Sequence, residues 1–125
     1  MDDEAGLIEA ARGGSEEAFC ALVRAHQGRV RTYLSRYLSR PEAADDLAQE
    51  AFLTAYHSLP SYKGDAPFGL WLLGIARHHA LRHLRDERRR RARETGRLRA
   101  VLLAFQADEA ERDVGRGGRS GGPSP

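Results

Sequence analysis

The side chains able to do chemistry in this chain are arginines, histidines and a few aromatics, and most fall in one stretch. Residues 61–91 read SYKGDAPFGLWLLGIARHHALRHLRDERRRR. His79 and His83 stand four apart, the helical spacing at which two imidazoles can share a metal. No glutamate lies between them, as a metalloprotease helix requires, and the arginines around them disfavour a cation, so no metal site is expected. His78, His57, His26 and Cys20 are the other ligand types. No nucleophile–base arrangement and no glycine-rich phosphate loop is present, so neither an enzyme nor a bound cofactor is expected. What the stretch does carry is a loop with Tyr62, Lys63, Gly64 and Asp65, an aromatic anchor at Trp71, and a basic stem with Arg77, His78, Arg82, Arg85, Arg88 and Arg89. A loop, an aromatic platform and a run of arginines together suit a surface that holds single-stranded nucleic acid.

The elements that must position these groups read as helices. Pro67 fits a first helical turn, where its missing amide is no loss, and Asp65 can cap or favour the positive helix end. Phe68, Trp71, Leu72, Ile75 and His79 form a broad stripe from there, flanked by Leu73, Ala76, Ala80 and Leu84. Trp71, Phe52 and Leu47 are expected to be largely buried. Upstream, Asp2, Asp3 and Glu4 open a short helix that Gly13 and Gly14 stop, and Ser15 caps a second helix reaching about Leu38. Its buried face carries Phe19, Leu22, Val23, His26, Val30, Tyr33, Leu34 and Tyr37, with Cys20 read as a small core residue. Ser39, Arg40, Pro41 and Glu42 read as a capping box for a third helix that ends near Leu59. On that helix Asp45, Asp46, Gln49 and Glu50 form an acidic patch, with Leu53 partly exposed beside it. Nothing alternates with period two. The expected fold is therefore all-α: a compact bundle of three main helices plus a short N-terminal helix over residues 1–92. Residues 93–125 read as a linker and a mostly disordered, glycine-rich tail, within which Arg97 to Phe105 could form a further helix whose apolar residues lack a clean stripe.

Composition agrees. The 125 residues suffice for one compact domain. Net charge is only +2, but six acids against Arg12 in residues 1–17 contrast with ten arginines against three acids in residues 77–99. That asymmetry points to an anionic partner for the second half. Lys63 is the single lysine, and arginine favours bidentate phosphate contacts and stacking on bases. One cysteine excludes an internal disulfide and suits a reducing cytoplasm. No apolar run approaches the roughly 20 residues that span a bilayer, so no membrane insertion is expected.

Three segments in this order resemble one family: DDLAQEAFLTAY from Asp45, YKGDAPF from Tyr62, and WLLGIAR from Trp71 running into an arginine-rich end. Together they are similar to region 2 of extracytoplasmic-function (ECF) sigma factors, bacterial transcription-initiation factors of the sigma-70 family, over about residues 15–91. The resemblance implies that the helix carrying Asp45, Asp46, Gln49, Glu50 and Leu53 docks on the coiled coil of the largest subunit of the RNA polymerase core. It implies that the loop holds a base flipped from the non-template strand of the promoter −10 DNA, extrusion being how proteins read an unpaired base. It further implies that the helix from Phe68 contacts the −10 strands, and that an anti-sigma factor is a possible partner. His78 stands where the family usually has an asparagine that helps line the base pocket. The family's second domain, a helix-turn-helix that reads the −35 element, has no patterned counterpart after Arg91.

Two other readings fit the residues. One is a protein-interaction module that titrates an anti-sigma factor or polymerase without initiating transcription. The other is a basic helical binder of duplex DNA, which needs no polymerase and has no strand preference.

Overall fold

A computed structural model describes residues 3–120, with side chains to residue 112. Its order is α1 (Glu4–Arg12), α2 (Glu16–Ser35), α3 (Pro41–Ser58), a 3-10 turn (Leu59–Ser61) and α4 (Phe68–Ser120). Among the described residues there is no strand.

Local chemistry sets the boundaries. Asp3 accepts from the Gly6 amide at 2.7 Å and caps α1. Gly13 ends the helix and Gly14 follows at φ +108°, a backbone state that L side chains rarely adopt. Ser15 caps α2 through the Ala18 amide at 3.1 Å. The third cap differs from expectation. Arg40, not Ser39, is the N-cap of α3 and makes no side-chain cap bond. Proline at the next position holds Arg40 in extended backbone (φ −112°, ψ 130°) and fixes the first turn without a capping box. Pro67 likewise lies just outside α4, where its carbonyl accepts from the Leu70 and Trp71 amides.

The chain separates into two compact units, residues 1–85 and 86–125. The first holds the core. Alanines 44, 48, 51 and 55 give α3 a slim buried face, which lets larger side chains such as Leu22, Val30 and Leu34 of α2 fill the interior. On α4 the buried line is Phe68, Leu72, Ala76 and Ala80, one residue per turn and each at most 2% exposed. Ala76 and Ala80, expected on the flank, thus lie in the centre, while Trp71, Ile75 and His79 are half-buried. Phe52 is buried as expected, but Leu47 is only half-buried. Cys20 is exposed, a correction to its reading as core: buried Phe19 and Leu22 bracket it on α2, and its direction faces solvent.

The second unit is helical where the sequence suggests a linker from residue 93: α4 is continuous to Ser120. Arginine, alanine, leucine and glutamate are good helix formers, and no proline interrupts them. From Arg88 to Arg112 every described side chain is exposed. Residues 121–125, the end of the stretch read as disordered, lie outside the described residues. No described helix is long and apolar enough to cross a membrane.

Candidate nucleic-acid interface

The loop at residues 62–67 is built rather than loose. Gly64 turns it at φ +80°. The Tyr62 hydroxyl donates across it to the Ala66 carbonyl at 2.5 Å. The Tyr62 ring rests 5.0 Å from Trp71 and 5.6 Å, edge-on, from Phe68, and Phe68 lies 5.6 Å from Trp71. Buried Phe68 thus roots the aromatic group in the core, and Tyr62 and Trp71 present its half-open side. Between this group and the loop is a hollow of about 160 Å³ lined by Ser61, Tyr62, Lys63, Asp65, Ala66 and Trp71. A cavity of about 150 Å³ accepts one benzene ring, so the hollow has the scale of a single aromatic ring.

Arg12, at the end of α1, holds the loop from behind. Its Nη2 donates to the Tyr62 carbonyl at 2.5 Å, and Nη1 pairs with Glu9. Its Nε is buried without a hydrogen-bond partner. A guanidinium in so constrained a place fixes the backbone at the mouth of the hollow. Arg12 lies fifty residues before Tyr62, and nothing in the local sequence signals the contact.

The remaining residues singled out for DNA fall into separate places. His78 is exposed and does not line the hollow. It follows Trp71 by seven residues, and Arg82 and Arg85 follow at steps of four and three, so these four share one face of α4. Arg77 lies off that face. Its positive charge acts on Tyr37. The Tyr37 hydroxyl is 3.1 Å from that of Tyr33. The Tyr33 bond, followed by Arg77 and Arg36, lowers the Tyr37 pKa, whereas burial and the Tyr37 contact raise that of Tyr33. Arg88 and Arg89 belong to the second unit and are exposed there.

His79 faces inward. Its Nε2 is 2.8 Å from Thr54 Oγ1 on α3. Burial lowers its pKa, Arg82 and His78 add to the fall, and Glu50 opposes it. Among the described residues no group of three or more His, Cys, Asp or Glu side chains could hold a metal ion.

The acidic patch lies on α3. Asp46, Gln49 and Glu50 are exposed, and Leu53 is 55% exposed beside them. Asp45 is exposed but pairs with Arg31 of α2, with Nε 3.4 Å from Oδ1. Four of the five residues therefore form the open face, and the fifth is paired with α2.

The sigma-70 region 2 family model matches residues 22–90, more than half of the chain. The chain is 32% identical over 114 residues to an RNA polymerase sigma-H factor of Pseudomonas aeruginosa, covering 91% of this chain and 58% of that protein. It is 38% identical over 90 residues to an ECF RNA polymerase sigma-E factor of Haemophilus influenzae, covering 72% of this chain and 47% of the relative. The chain spans about half the length of the curated relatives it matches. Among solved structures it is similar to an engineered region 2 of sigmaE determined by NMR in complex with GTAAAA. The TM-score is 0.67 at 34% identity, over 71% of this chain and 93% of the other.

Proposed function

The chain belongs to the sigma-70 region 2 family, and from that premise we propose that it binds the RNA polymerase core and recognises and melts the promoter −10 element in transcription initiation. The exposed face of Asp46, Gln49, Glu50 and Leu53 docks on a basic surface of the polymerase coiled coil, with Asp45 helping to hold the face in place. The loop at 62–67 takes one base extruded from the non-template strand. Arg82 and Arg85, with Arg77 to one side, neutralise phosphates, and Arg88 and Arg89 of the second unit do the same. An anti-sigma factor would compete for these same surfaces, and the site of action is the cytoplasm, where polymerase works.

The observation that carries this reading is the ring-sized hollow beside Tyr62 and Trp71, opening on the helix that bears the basic face. Electrostatic contacts to phosphate position a strand without reading it, whereas a pocket for a base can discriminate. The similar region 2 bound to GTAAAA gives the test its ligand. Binding of that strand, alone and with polymerase core, is measured across a salt series with each base varied in turn. Arg85→Ala is expected to weaken all strands equally and to lower the salt slope by about 0.7 for the lost contact. Tyr62→Phe and Lys63→Ala, both in the lining of the hollow, are expected to change which base is preferred. If the loop changes shift every sequence equally, the base pocket is wrong and a basic clamp remains. If core binds but no strand does, the interaction-module reading takes its place, and preference for duplex without core supports the third.

A further inference from the structure

We propose that the C-terminal part of α4 pairs antiparallel with the same segment of a second copy of this chain. Leu98, Val101, Leu102 and Phe105 are 59, 63, 51 and 61% exposed. Their spacing of three, one and three residues places them within an arc of about 100°, the width of a helical face made to be covered. Solubility does not call for such a stripe, and contiguous exposed apolar surface marks an interaction site. All described side chains from Arg88 to Arg112 are exposed, so no described side chain of its own unit covers it.

The charges beside the stripe select the occupant. Residues 88–99 carry seven arginines against Glu94, whereas Asp108, Glu109 and Glu111 follow the stripe against Arg112. Arg112 answers Asp108 at 3.2 Å within the helix, and an acidic excess remains. One helix is thus basic before its apolar centre and acidic after it. An antiparallel copy sets each basic flank against an acidic flank and faces Leu98 with Phe105 and Val101 with Leu102. A parallel copy would set seven arginines against seven. The antiparallel arrangement is a closed two-fold contact, in which each copy uses the same patch. A nucleic acid would satisfy the arginines and leave the stripe in water.

Sedimentation equilibrium of the full chain, with reductant to keep Cys20 free, tests the pairing over a wide concentration range. A reversible monomer–dimer equilibrium is expected. Leu98→Ser with Leu102→Ser should abolish it without loss of helical circular dichroism, because both side chains are exposed. Asp108→Arg with Glu109→Arg should weaken it about tenfold, and adding Arg91→Glu and Arg97→Glu to the same chain should restore it. A chain that stays monomeric throughout overturns the proposal. So does a dimer indifferent to the leucine changes, and so does a dimer that the fourfold reversal fails to restore. None of these outcomes bears on strand binding by the first unit.

Discussion

Two exposed surfaces of the first unit are assigned to binding, and they are built in opposite ways. The hollow at the loop is assembled from the 3-10 turn, the loop and α4, and α1 supports it through Arg12. Arg12 grips a carbonyl, Tyr62 closes the loop on Ala66, and Phe68 ties the aromatic group to the core. The acidic face of α3 is a single helix surface whose open members are free of the core. A surface that must accept a ring in one orientation needs walls from several elements. A surface that meets charge with charge needs only a stable helix. Substitution should therefore separate binding from stability on α3 and couple them at the hollow.

The largest effect should come from Asp46→Arg with Glu50→Arg. Reversing two open charges should abolish binding to polymerase core, read by pull-down, while melting temperature stays nearly unchanged, because exposed charges contribute at most about 1 kcal/mol each. A double variant that binds core as well as the parent breaks the assignment of this face. A large fall in melting temperature would break the contrast itself.

Trp71→Ala should show the coupling. The indole is only half-buried, so the stability loss should fall below the about 3–5 kcal/mol of a fully packed ring, as denaturant melts would measure. The same variant should weaken strand binding through lost stacking, worth about 1–3 kcal/mol per base. Its fluorescence should lie between the buried and water-exposed limits and shift when the strand binds. Loss of stability with unchanged strand binding would make Trp71 a wall and not a platform.

Arg12→Ala sharpens the comparison from a distance. Removing the guanidinium frees the Tyr62 carbonyl and should cost about 1–3 kcal/mol. More tellingly, it should blunt discrimination among bases more than it weakens overall strand affinity, with Arg12→Lys recovering part of both. Equal discrimination in Arg12→Ala and the parent would show that the loop holds its own shape.

The difference between the two surfaces also explains what was legible in the sequence. The α3 face follows from helical spacing, because Asp46, Gln49, Glu50 and Leu53 are neighbours on one helix, and the exposed Leu53 was readable there. The cap at Ser15 was readable too, since it acts within three residues. The hollow was only half-visible. Tyr62, Lys63, Asp65 and Trp71 meet there, but Arg12 reaches it across fifty residues by tertiary contact that no local pattern encodes. Cys20 and the central line of α4 were misplaced for a related reason. An apolar periodicity gives the arc that is buried, and the neighbouring helices decide its centre. The slim alanine face of α3 cannot be read as a neighbour before the helices are packed.

The smallest effect should appear in pH. His79 lies between the two surfaces, bonded to Thr54 on α3 and seated on α4. Burial, with Arg82 and His78 adding to it, lowers its pKa from 6.5, and Glu50 only partly compensates. The fold therefore favours the neutral ring, and the unfolded chain binds the proton more readily. The stability that follows from this is fully present above about pH 6.5 and is lost as pH falls through the folded value. His79→Gln keeps a group able to bond Thr54 and removes the titration. Between pH 7.5 and pH 5 the parent should lose more melting temperature than His79→Gln, the other titrating groups being common to both. Glu50→Gln removes the charge that favours protonation, so it should deepen the parent's acid loss. Parallel pH profiles for the parent and His79→Gln would mean that His79 keeps an ordinary pKa and that the α3–α4 contact is open to water.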